Sequence, residues 1–163
     1  MDELLNIIRE SLVAVTHPRF YETERGFQGA FLAELGRRIP ALQWKGAIVE
    51  QEYQKRMRDH GINIRPDIII HVPFEGGHHS SRREGNFVVF ELKLNASPEE
   101  ALPDYEHLSN MCEILGYPLG IFININSSDP HLHLYHGPHK EKLHAFAVRI
   151  QVDQVEVREE YAT

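Results

Sequence analysis

Cysteine is almost absent from this chain, with Cys112 standing alone among 163 residues. An intrachain disulfide and a zinc site built on cysteine pairs are therefore excluded, and a lone thiol in an apolar helical pattern is expected to be packed rather than reactive. Long hydrophobic runs are missing too. The longest falls far short of the roughly 20 residues that span a bilayer, and the opening MDELLNIIRE is acidic and amphipathic, without the apolar core of a signal peptide. The expectation is a cytoplasmic protein with no membrane partner. Positive charge is also scarce: 17 Lys and Arg face 24 Asp and Glu, a net charge of −7. Proteins that grip nucleic acid through many phosphates usually carry a basic face, so any such face here must be local. The candidates are Arg82 and Arg83 at the end of HHSSRR, with Arg37, Arg38 and Lys45 as a second group.

What is present suffices for a core. At 42% hydrophobic residues and this length, the expectation is a single domain over 1–163, with no internal repeat or linker. Apolar residues at Leu4, Leu5, Ile8, Leu12 and Val15 follow the helical period, until Pro18 disfavours helical geometry in His17. A second helix is expected over 23–38, with Thr23 as N-cap and Pro40 as stop. Strands are expected at 47–53 (AIVEQEY), 64–73 and 87–94, the last two as a hairpin with a long tip. A third helix follows over 98–115, in which Pro103 is expected to split off a short initial piece. A nearly continuous apolar strand covers 119–125 (LGIFINI), and edge strands are expected at 131–135, 144–150 and 152–158. The fold class is α/β: a mixed central sheet flanked by helices, with a β-rich C-terminal extension.

Two of these strands carry charges that do not belong in them. Asp67 lies in IRPDIIIHV (64–72), and Glu91-Leu92-Lys93 lies in NFVVFELKL (86–94). An ionised group inside a β-branched, half-buried run carries a desolvation cost unless something compensates it. Alternation along a strand puts Glu91 and Lys93 on one face, and pairing of the two strands brings Asp67 to them. Two hard oxygen ligands and one ammonium around one point suit a divalent cation and metal-assisted phosphodiester hydrolysis. The competing reading is a buried structural ion pair of Lys93 with either acid, which leaves the second carboxylate unpaired.

The order of Pro66-Asp67, then Glu91-Leu92-Lys93 in the next strand, then a helix and a returning strand, resembles the PD-(D/E)XK nuclease superfamily with its restriction-endonuclease-like fold. The resemblance covers roughly residues 20 to 126. It implies Asp67 and Glu91 as ligands of Mg²⁺, with Mn²⁺ as a substitute, and the Leu92 carbonyl as a further ligand. Lys93 would position or activate the attacking water, and the Leu92 side chain should face the other side of the sheet. Many members add a glutamate from the first core helix. Glu24 is the choice here over Glu34, whose neighbours Arg37 and Arg38 suggest a solvated face, and Gln28 one turn later could reach the same site. Glu52 resembles a further acidic position, and it shares a face with Glu50. The implied activity is hydrolysis of DNA phosphodiesters by Mg²⁺-activated water, with RNA left open as a substrate. A homodimer or larger assembly is expected because one small acidic chain offers little binding area.

Eleven histidines remain to be explained. His131 and His133 in HLHLYHGPH would share one face of a strand, a spacing that suits Zn²⁺ or Ni²⁺, with His136 and His139 nearby. The simpler reading is a surface strand that buries Leu132 and Leu134. His71 is expected to be a packed histidine. Two rivals to the nuclease therefore stand: a nuclease-fold interaction module that does not cut, and a histidine-based metal-binding protein.

Overall fold

The computed structural model describes residues 1–51, 65–73 and 83–162. Three α-helices are described: α1 (Asp2–Val13), α2 (Glu24–Arg38) and α3 (Pro98–Ile114). Six strands, β1 (Ile48–Gln51), β2 (Ile68–His71), β3 (Asn86–Leu94), β4 (Leu119–Ile125), β5 (Leu143–Gln151) and β6 (Gln154–Tyr161), form one open sheet in sequence order. Strands β1, β2 and β3 are antiparallel neighbours; β3, β4 and β5 run parallel, and β6 returns antiparallel. The protein is thus α/β with a mixed sheet. Among the described residues, no helix is long and apolar enough to cross a membrane.

Alternation along the strands divides the core into two layers. Ile68, Ile70, Val88, Phe90 and Leu92 point toward α1 and α2, where Phe31 meets Phe90 edge-on at 5.9 Å between ring centroids. Ile69, Val89, Phe122 and Ala145 point the other way, onto Ala101, Tyr105, Leu108 and Cys112 of α3. Cys112 is buried there, and burial pushes its thiol up to about 12, so it is packed and unreactive as expected. The joint between β3 and α3 is rigid. Asn95 turns the chain at φ 52°, and the buried Asn124 side chain accepts from the Ala96 N–H at 2.8 Å and donates to its carbonyl at 3.0 Å. A capping box of Ser97 and Glu100 then starts α3.

Several expectations are met closely. Thr23 caps α2 by accepting from the Gly26 N–H at 3.0 Å, and β2 and β3 pair as a hairpin, Ile68 opposite Phe90. Others are corrected. The helix α3 runs unbroken through Pro103, because the buried Ala101 and Tyr105 on either side hold it against the sheet. Strand β2 is shorter than expected, running over Ile68–His71 with a register shift between Ile70 and His71, and Ile64 of the expected run lies outside the described residues. The HLHLY segment is no strand: His131 takes a left-handed conformation (φ 65°), and Leu132–Leu134 forms a 3-10 turn. Strand β5 is interior, not an edge, and β6 begins only after Val152 and Asp153, whose positive φ angles of 46° and 62° make the two-residue hairpin turn. The expected continuation of β1 through Tyr53 lies outside the described residues.

Candidate functional site

Asp67 and Glu91 meet at the end of the β2–β3 hairpin. Asp67 immediately precedes β2, and the paired register of Ile68 with Phe90 sets it beside Glu91. Both lie on the α3 side, two residues along from the buried Ile69 and Val89. The two carboxyl groups hydrogen-bond to each other. The Leu92 backbone N–H donates to Asp67 Oδ2 at 2.7 Å, and Gln28, itself 4% exposed, donates from Nε2 to the Asp67 carbonyl at 2.9 Å. Backbone and carboxylate of Asp67 are therefore fixed separately, one from α2 and one from β3.

The electrostatics show what this arrangement costs. Burial, then the nearby Glu24 and Asp104 carboxylates, raise the Asp67 carboxyl to about 6, although the Leu92 N–H and the Glu91 hydrogen bond oppose the rise. Glu91 is pushed well above its ordinary value by burial, then by Asp67 and Asp104, with Lys93 opposing. Asp104, from the second turn of α3, is raised by burial despite Lys93 and His107. Two half-buried acids side by side cannot both ionise without cost, which a cation between them would offset. Lys93 supplies only part of that charge: its side chain is 41% exposed, and its Nζ lies 3.8 Å from Asp104 Oδ2. The donor set of hard oxygens fits a divalent cation such as Mg²⁺ or Mn²⁺, held by Asp67 and Glu91.

The expected outer residues divide. Glu24, at the first position of α2, is near enough to raise the Asp67 carboxyl, so the first core helix does contribute an acid to this end of the sheet. Gln28 reaches the site through the Asp67 backbone. Leu92 turns its side chain into the opposite layer and is 2% exposed. Glu34 is engaged by Arg37 and by Arg38, the latter at 2.6 Å, away from this cluster. Glu52 and Arg82 lie outside the described residues. Arg83 is exposed just ahead of β3 and packs near Gly116, so it sits at the other end of β3 from Glu91. Five strand steps from Asn86 to Glu91 are already about 17 Å. Asp104 was missed from sequence because the packing of its helix on the sheet, and not strand alternation, brings it to the pair. Its only signal is an acid on the margin of the buried stripe formed by Ala101, Tyr105 and Leu108.

The histidines behave differently. His71 is packed as expected, 6% exposed, with Nε2 2.5 Å from Glu50 Oε2. His133 does not share a strand face with His131 but meets Asp129 and Glu160, and one ligand atom of each of these three lies within 4.8 Å of the others. Arg158 already serves both acids, at 3.7 Å from Asp129 Oδ2 and 3.0 Å from Glu160 Oε1. A cavity of about 750 Å³ lies at the opposite end of the sheet, lined by Asn6, Arg9, Leu119, Leu143 and His144 among others, with none of the motif residues. The chain has no match among models of known protein families or among curated proteins.

Proposed function

We propose that the chain is a divalent-metal-dependent nuclease of the PD-(D/E)XK type, with a restriction-endonuclease-like fold, that hydrolyses DNA phosphodiesters. The observation that carries this reading is the half-buried, mutually hydrogen-bonded pair of Asp67 and Glu91, with Lys93 following on the same strand face. A structural ion pair accounts for it less well, because Lys93 has its ion pair with Asp104 and leaves the two acids facing each other.

In this reading Asp67 and Glu91 hold Mg²⁺, with the Leu92 carbonyl as a further ligand. The ion supplies Lewis-acid polarisation of the phosphate and makes water a better nucleophile at neutral pH. The protein's own groups do the rest. The Leu92 N–H and Gln28 fix Asp67 beside Glu91. Lys93 offers an ammonium to the water or to charge developing on the phosphate. Glu24 adds negative charge at the rim, which favours a second cation or orders water around the first. Nucleic-acid grip is the part that these residues do not supply, and a homodimer or larger assembly would extend the contact area.

Incubating the full chain with supercoiled plasmid, single-stranded DNA and RNA, with Mg²⁺, Mn²⁺ or EDTA, tests the proposal. Metal-dependent cutting that Lys93→Ala lowers about 100-fold is the expected result. No cutting with any metal, or unchanged activity in Lys93→Ala, sinks it. One observation favours the second reading, an interaction module that no longer cuts: the net charge of −7. Such a module would still bind Mn²⁺ between Asp67 and Glu91 without turning over nucleic acid.

A further inference from the structure

Lys93 stands at the exposed rim of the Asp67–Glu91 pair, yet among the described residues its ion pair within 4.0 Å is with neither of them. It is with Asp104, at 3.8 Å. An ammonium left to itself beside two half-buried carboxylates would fold onto them, neutralise them and occupy the place of a cation. Asp104 offers it an alternative partner. The architecture fixes that alternative tightly. Asn124 clamps Ala96, Ser97 and Glu100 cap the helix, and the Tyr105 hydroxyl next door to Asp104 donates to the Pro130 carbonyl at 2.6 Å from a fully buried ring. Asp104 therefore cannot drift, and its side chain is 14% exposed against 41% for Lys93. A fixed acid facing a mobile base sets where the base rests.

Resting on the nuclease reading above, we infer that Asp104 is a positioning residue that draws the Lys93 ammonium away from Asp67 and Glu91, keeping their oxygens open to a divalent cation and the ammonium aimed at the phosphate. Asp104 acts through Lys93 and is not itself a ligand. Its charge reaches Asp67 as that of Glu24 does, and what sets it apart is its ion pair with Lys93.

A double-mutant cycle tests this with two readouts on the full chain: Mn²⁺ affinity by calorimetry, and kcat and KM for plasmid cleavage. Asp104→Asn is expected to lower kcat about tenfold with KM nearly unchanged, and to weaken Mn²⁺ binding about tenfold, at the low end of the scale of residues that orient a site from outside it. In a Lys93→Ala background the same substitution should change kcat by less than about twofold, because its route of action is gone, and only the direct effect of its charge on Mn²⁺ affinity should remain. Asp104→Glu should restore most of the loss. Full additivity of Asp104→Asn with Lys93→Ala overturns the inference in favour of direct ligation or a purely structural role, as does failure of Asp104→Glu to recover either readout. The two levels separate cleanly. If the unaltered chain neither cuts nor binds Mn²⁺, the nuclease reading falls and takes this inference with it. If it cuts but the cycle is additive, only the inference falls.

Discussion

Two clusters of carboxylates in this molecule look alike in composition and differ in how their charge is balanced. At the β2–β3 hairpin, Asp67 and Glu91 are half-buried together with Glu24 and Asp104 near them, and the lysine at hand pairs with Asp104. At the C-terminal edge, Asp129 and Glu160 face His133 and share Arg158, and His133 is 52% exposed. The first cluster is short of positive charge in a desolvated place; the second carries its own cation where water can reach it. Proximity of acids does not separate the two; unbalanced charge held partly away from water does, since a desolvated negative charge has few ways to be compensated other than a cation.

The largest expected effect breaks the comparison at its centre. Asp67→Ala or Glu91→Ala should reduce cutting by on the order of 10³-fold or more, the scale of losing a directly acting group, and abolish Mn²⁺ binding by calorimetry. The matching substitutions Asp129→Ala and His133→Ala should leave both readouts unchanged. If His133→Ala weakens Mn²⁺ binding and Asp67→Ala does not, the two clusters have been assigned the wrong way round. Lys93→Ala comes next, with kcat lowered about 10²-fold and KM little altered, as expected for a cation that acts mainly on developing charge.

A stability measurement sharpens the same contrast. A carboxyl whose folded-state pKa is raised binds more protons folded than unfolded, so its contribution disfavours the fold as pH rises from near 4 through about 6. For Asp67 in metal-free protein that amounts to about 2–3 kcal/mol, and Glu91 adds to it in the same direction at higher pH. Urea unfolding in EDTA at pH 4.5 and 7.5 should therefore show Asp67→Asn gaining on the unaltered protein as pH increases, with Mn²⁺ closing the gap. A difference that stays flat or runs the other way would show that the pair is not strained. The smallest effect belongs to the outer cluster. Arg158→Ala should cost no more than about 1 kcal/mol of stability, because exposed ion pairs contribute little. By uncovering Asp129 and Glu160 it should also create weak Zn²⁺ binding that a further His133→Ala removes.

How far the sequence could be read depended on whether the signal was local. The hairpin of β2 and β3, the cap at Thr23 and the strand β4 were visible because each is written in a few adjacent residues: β-branched runs, a hydroxyl before an amphipathic stretch, a bounded apolar segment. The HLHLY segment was misread because its alternation of histidine and leucine imitates a strand. The conformation is set instead by the turn at His131 and by Leu132 entering the core beneath α3. Pro103 was expected to break α3, but tertiary packing on both flanks outweighed the lost backbone hydrogen bond.

The charges placed against their surroundings, Asp67, Glu91 and Lys93, were determined by sequence alone, since strand periodicity fixes which face they share and hydrophobic neighbours fix that they are costly. Only the tertiary structure decided which other acids join them. Glu24 and Asp104 come from two helices on opposite sides of the sheet, and Gln28 acts on Asp67 through the backbone. Electrostatic interactions fall off with distance in space and take no account of separation along the chain. The chain could therefore announce the pair, while the fold had to choose what surrounds it.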